Sequence, residues 1–154
     1  MIWYERHSRN IHIAFVTCLA LTALGAAGPA ATPVGLWQTL NERGEREGLV
    51  RIVEVDGELR GSVVQVYSPP APSASPLCEQ CAGARRNQPV VGMEILRGAR
   101  WDGSRYSGGE ILDPDNGKVY RCIVRLREDG RLEVRGFIGV SLLGRTQVWV
   151  RSAE

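Results

Sequence analysis

The sequence predicts an all-β domain, a small antiparallel up-and-down barrel of about eight strands with one long cysteine-bearing loop. Three observations carry this. Short runs of Val, Ile, Leu, Tyr and Trp recur along the chain. The turn dipeptides Asp56-Gly57, Asp102-Gly103, Asn116-Gly117 and Asp129-Gly130 sit between such runs, the strongest short-range hairpin signal. No segment sustains a 3.6-residue hydrophobic period over helical length. Many short strands joined by tight turns fit a barrel or a sandwich, and connections between near neighbours favour the barrel.

The 154 residues favour one domain, but not all of them belong to it. Arg6 and Arg9 give a positive start, Ile11 to Leu24 is an uncharged apolar run, and Gly25/Ala27 and Gly28/Ala30 offer small residues for cleavage. This is the pattern of a secretory signal peptide over 1–27, with a second cleavage point as late as 30. The apolar run is shorter than the roughly 18 to 20 residues of a spanning helix, so no membrane span is expected in the mature chain. Cys18 follows Phe15-Val16-Thr17, not the small residues that precede a lipidated cysteine, and leaves with the leader. Cleavage also removes His7 and His12, the only histidines. What remains is nearly neutral, with Lys118 its single lysine. That charge gives no reason to expect nucleic acid. The expected location is periplasmic or secreted.

Residues 28–34 read as a small Pro-containing lead-in, and 35–154 as one β-barrel domain. The expected strands are 35–40, 49–55, 58–67, 92–99, 104–111, 118–127, 131–138 and 145–151, with a short helix within 92–99 as the one alternative. Tyr120, Cys122, Val124 and Leu126 alternate with Arg121, Arg125 and Arg127. Leu132, Val134 and Ile138 likewise oppose Arg131, Glu133 and Arg135. One buried and one wet face follow, with Cys122 pointing inward. Strands 58–67 and 145–151 carry apolar residues on both sides, so their faces stay unassigned.

Residues 68–90 stand apart: they hold most of the prolines, lack periodicity and contain Cys78-x-x-Cys81. Loops of this length in compact domains are functional or disordered. A thioredoxin-like couple needs a strand feeding a helix, and no helical stripe follows here, although Arg85 and Arg86 would favour a thiolate. Zinc needs about four Cys or His ligands, and the mature chain offers only Cys78, Cys81, Cys122 and carboxylates such as Glu79. The preferred reading is a local Cys78–Cys81 disulfide formed in an oxidising compartment, with Cys122 a buried thiol. A bridge from Cys122 to either loop cysteine is the stronger-staple alternative.

Without histidine no Ser-His-Asp triad forms, and no catalytic residue, metal or cofactor is expected. Asp113 to Gly117 superficially resembles a calcium loop, but Gly117 falls where an oxygen ligand belongs, so a tight turn is favoured. Glu94, Glu110 and Asp113 would work as an acid–base pair only if folding brought them together.

The stretches "GLWQT" (35–39), "CEQCAG" (78–83), "QPVVGMEIL" (88–96), "GGEILDPDNGKVYRC" (108–122) and "VRGFIGVSLLGRTQVWVR" (134–151) resemble, in order and spacing, the exported bacterial domain of unknown function family 2147. That resemblance implies a lipocalin-like β-barrel and no established activity. Gly35-Leu36-Trp37 also resembles the Gly-x-Trp that opens a lipocalin's first strand, with Arg145 or Arg151 available to stack on the Trp, and packing at the barrel's closed end is favoured for this Trp over a ligand contact. The function expected is non-enzymatic binding of a small apolar or amphipathic ligand. Its candidate walls are Trp37, Tyr120, Val124, Leu132, Val134 and Trp149. The alternative is a solid-cored envelope protein meeting a protein partner through Arg121, Arg125, Arg131 and Arg135, or through the 68–90 loop. A thiol-redox or zinc site at the cysteine pair comes third.

Overall fold

The computed structural model describes residues 31–67 and 76–153. The expected leader, and residues 68–75 of the Pro-rich connection, lie outside the described residues. Eight strands run β1 (Gly35–Leu40), β2 (Arg46–Val55), β3 (Glu58–Val66), β4 (Glu94–Trp101), β5 (Tyr106–Asp113), β6 (Lys118–Leu126), β7 (Leu132–Phe137) and β8 (Arg145–Arg151). Each pairs antiparallel with its sequence neighbour, and β8 returns to β1, closing an up-and-down barrel. Within 92–99, where a short helix was the alternative, the chain is strand from Glu94 onward.

The turns follow from their residues. Asp56 and Gly57 both hold positive φ (53° and 74°), as a two-residue hairpin turn demands. At the opposite end Gly117 N–H donates to the Asp113 carbonyl at 2.9 Å, so Asp113–Gly117 is the expected tight turn. Between turns, register shifts at Thr39/Leu40, Leu49/Val50, around Gly61 and at Tyr106/Gly109 bend the strands. Such bulges increase coiling and let a short sheet close on itself.

Closure is narrow. β1 pairs with β8 at Trp37–Arg151 and Gln38–Val150, and the Ser152 N–H just beyond β8 donates to the Leu36 carbonyl at 2.9 Å. Side chains reinforce it from below: Trp37 Nε1 donates to the Pro33 carbonyl at 2.7 Å. Arg151 donates from Nη1 to the Val34 carbonyl at 3.0 Å and from Nη2 to the Thr32 carbonyl at 2.6 Å. Its guanidinium carbon lies 4.3 Å from the centroid of the Trp37 ring. Arg151 therefore takes the stacking place on the Trp, while Arg145 pairs with Glu42 at 2.9 Å at the other end of the strand.

Around this floor the interior is solid. Trp37, Ile52, Leu59, Leu96, Cys122, Val124 and Leu132 are all fully buried. Close packing sets tight limits: a Cβ on Gly109 would lie 2.7 Å from both Cβ and N of Ala99. One sequence assignment fails. Ile138 is 68% exposed because β7 ends at Phe137, and Phe137 is the buried residue there.

The described part of the long connection is ordered against the barrel. Cys78 and Cys81 form a disulfide (Cα–Cα 5.3 Å). Leu77 bridges to Pro89, and a 3-10 turn spans Gly83–Arg85. Both half-cystines, with Val90 and Met93, join one buried cluster with Leu112 and the barrel core. Cys78 Sγ lies 3.3 Å from the Pro114 carbonyl, a packing contact since a disulfide sulfur carries no proton. Cys122 remains an unbridged buried thiol, so the longer staple is not made.

Two outcomes are expected from this packing. Gly109→Ala should cost about 1–3 kcal/mol by overpacking, read as a lower urea midpoint with unchanged slope; an unchanged midpoint would disprove the tight approach to Ala99. Cys78→Ser should lower stability by roughly 2 kcal/mol, the entropy of so short a closed loop. Circular dichroism should still show the intact barrel.

Candidate functional site

At the end opposite Trp37 the barrel is open. A cleft of about 1300 Å³ occupies its upper half, bounded by the β1–β2, β3–β4, β5–β6 and β7–β8 connections. Its inner wall is apolar: Leu49, Val50, Val63, Ile95, Ile111, Val134 and Trp149. Polar groups reach into it at set points. Trp149 Nε1 donates to Gln147 Oε1 at 2.9 Å, satisfying an indole that sits 1% exposed. The Tyr120 hydroxyl accepts from Asn116 Nδ2 at 3.2 Å. An apolar depth beneath a polar rim is a gradient that an amphipathic small molecule matches.

The rim is charged and mixed, with Glu45, Glu47, Glu79, Asp113 and Asp115 facing Arg43, Arg46 and Arg145. Glu47 holds its proton above the ordinary glutamate range. Partial burial is the main cause, the Asp115 and Asp113 carboxylates add to it, and Arg145 works against them. Arg145 is already engaged by Glu42, and that ion pair spans the mouth end of the β1–β8 junction.

Of the residues picked from sequence, Tyr120, Val134 and Trp149 line the cleft. Trp37, Val124 and Leu132 lie beneath it at 0% exposure, as packing of the floor. Sequence reasoning missed Leu49, Ile95, Ile111, Glu47 and Gln147. For Gln147 a signal existed, since Arg145, Gln147 and Trp149 alternate along β8. Glu47 lies in the charged run 41–47, which reads as a turn.

Of the other acidic candidates, Glu94 and Glu110 share a shallow groove with Glu58, Arg60 and Arg97, where each is neutralised by an arginine, and Asp113 stands apart. Glu110 pairs with Arg97 at 2.8 Å and Glu94 with Arg60 at 3.7 Å, while Asp113 Oδ1 accepts from the Asp115 N–H within its own turn. The half-cystines are bridged, and burial, aided by Glu110, pushes the Cys122 thiol up to about 12, so it stays protonated and inert. Among the described residues, no three His, Cys, Asp or Glu side chains gather as a metal would require. No described helix is long and apolar enough to cross a membrane.

Glu47 sets a pH dependence with a definite sign. Its folded pKa is raised, so the stability tied to its proton is fully present below the unfolded value and is lost as pH rises through the folded one. Thermal melts of wild type against Glu47→Gln should therefore diverge just above the ordinary glutamate range, the variant being the flatter. Parallel profiles would show that neither desolvation nor the Asp115 and Asp113 carboxylates raise its proton affinity.

The sequence pattern of the family described as "Uncharacterized protein conserved in bacteria (DUF2147)" matches residues 35–151. No curated protein matches the chain as a relative. Among solved structures, one described as "Protein HP1028 from the human pathogen Helicobacter pylori belongs to the lipocalin family" superposes with a TM-score of 0.70. The identity is 20%, over 80% of this chain and 85% of that one, a likeness of fold. The chain belongs to the bacterial DUF2147 family, and it carries that family's pattern on a lipocalin-like barrel closed below and open above.

Proposed function

We propose that the protein is exported and holds one small apolar or amphipathic ligand in the mouth of the barrel, without catalysing a reaction. The cleft above Trp149 is the observation that carries this reading: its inner wall is largely aliphatic, and its many polar and charged groups gather toward the rim. A ligand with an apolar body and a polar head matches that gradient. The lipocalin-like fold is compatible with it. Export rests on the leader pattern of residues 1–27 and accords with a disulfide in the loop.

The alternative, a protein partner on the arginine face, has less to support it. Arg125 pairs with Glu133 at 3.1 Å, and Arg121 lies over the Phe137 ring at 5.6 Å. Arg135 is spent on Ser141, Leu142 and Thr146. These side chains serve the barrel's own surface.

Titration with a naphthalene-sulfonate fluorophore should saturate at one per chain, with a negative heat-capacity change as apolar surface is covered. Leu49→Trp, which fills the mouth from its edge, should weaken that binding at least tenfold at unchanged melting temperature. Unsaturable binding, or equal binding by the variant, would remove the cleft from consideration.

A further inference from the structure

The connection from β7 to β8 carries the most exposed aliphatic surface described in the molecule. Ile138 is 68% exposed, Val140 61%, Leu142 85% and Leu143 80%. No charged residue falls between Phe137 and Gly144. A surface loop of this composition, four large aliphatics in six residues, is a contiguous patch and not scattered exposure.

The loop is also held in shape. Arg135 donates from Nε to the Ser141 carbonyl at 2.8 Å and from Nη2 to the Leu142 carbonyl at 3.1 Å, while its Nη1 binds Thr146 Oγ1 at 2.6 Å. Within the loop, Leu143 N–H donates to the Val140 carbonyl at 3.3 Å and Gly144 N–H to the Ser141 carbonyl at 3.1 Å. One guanidinium thus fixes a 3-10 turn (Ser141–Leu143) with its leucines facing water. Phe137, at the base, is buried beneath the Arg121 guanidinium.

We propose that this loop is a docking tip for a lipid surface bearing anionic headgroups. The four aliphatic side chains enter the headgroup–acyl boundary, and the barrel mouth is thereby brought to the bilayer. Two features of the tip favour a bilayer over a protein. It offers no aromatic, charged or side-chain amide group, the kinds that anchor protein hot spots, whereas a fluid hydrocarbon boundary needs only apolar area. Arg135 is turned into the loop itself, but Arg121 and Arg145 flank it, and the exposed Arg145–Glu42 pair (2.9 Å) is of the weak kind that a lipid phosphate can replace. Asp113, Asp115 and Glu79 lie at the end of β5, in the β5–β6 turn and in the β3–β4 connection, and the carboxylate that reaches the tip is Glu42, on Arg145. Ile138 and Leu143 line the cleft as well as the tip, so apolar surface runs unbroken from the loop into the cavity. This docking deepens the ligand-binding reading by naming where an amphipathic ligand would enter or leave.

Co-sedimentation tests it, using vesicles of phosphatidylethanolamine with phosphatidylglycerol beside vesicles of phosphatidylcholine alone. Wild type should pellet with the anionic vesicles, less so as salt rises. Leu142→Ser and Leu143→Ser should each lose roughly tenfold in partitioning, and the double variant more, at unchanged melting temperature. A leader left on the chain would add the same affinity to every variant, so the comparison still reports the tip. Wild type that ignores both vesicles, or variants that pellet equally, would overturn the proposal. So would a concentration-dependent dimer abolished by the same substitutions without vesicle binding, which would make the tip a self-association surface. Fluorophore titration of the same proteins without vesicles keeps the two readings apart. If vesicles bind and the fluorophore does not, the docking stands and the ligand cleft falls.

Discussion

Everything in this molecule depends on closing β8 onto β1, and that closure rests on very little backbone. Two residue pairs join the strands, where most other neighbours share five or more. The deficit is made up by side chains at the floor. Arg151 stacks on Trp37 and donates to the carbonyls of Thr32 and Val34, so one guanidinium ties the last strand to the segment leading into the first. Trp37 is fully buried with its indole N–H satisfied by Pro33, which turns a large aromatic into a plug and not a liability. Without this lock, β1 and β8 would be two free sheet edges with unpaired N–H and C=O groups.

The lock also explains why the barrel divides into a packed half and an open half. Near the floor, bulky side chains from β1, β2, β3, β4, β6 and β7 meet on the axis and leave no room. Toward the mouth β1 has lost its pairing to β8, so the strands splay and the axis is lined by Gly136, Gln147, Tyr120 and Leu49. The cysteine-bridged segment braces this splayed end. It packs its half-cystines and Val90 into the same cluster as Ile95 and Leu112, holding the β3–β4 connection against the β5–β6 turn. The disulfide thus serves the shape of the rim, and its two sulfurs are buried where no substrate reaches them.

The strands and turns were legible because each rests on local chemistry. Asp56-Gly57 needs two positive φ angles, and a Tyr120–Leu126 alternation needs one wet face; both signals survive in the bare sequence. The cleft was less legible, for a reason seen in the bulges. Ile95 and Leu96 are both buried in succession because a register shift on β4 turns neighbours onto one side, and a second shift leaves Val64 of β3 as the extra residue opposite Leu49 and Val50. A period of two cannot be read through such points, and that is why β3 resisted a face assignment. The same reading extended β7 to Ile138, where alternation continues in sequence but the strand has ended. Val124 and Leu132 were placed inside by alternation, which says nothing of height along the axis, whereas Trp37 was expected at the closed end and lies there. Only the three-dimensional register separates floor from wall.

The lock at the floor has one more consequence, for the order of the chain. Since Thr32 and Arg151 touch, the two termini of the barrel lie side by side at the end away from the mouth. A short peptide would join them without disturbing a strand, and new ends could open at the exposed 127–130 turn. A circularly permuted chain would then begin with β7 and finish with β6, and still build the same wall. In this architecture adjacency around a ring, and not position along the gene, is what the residues encode.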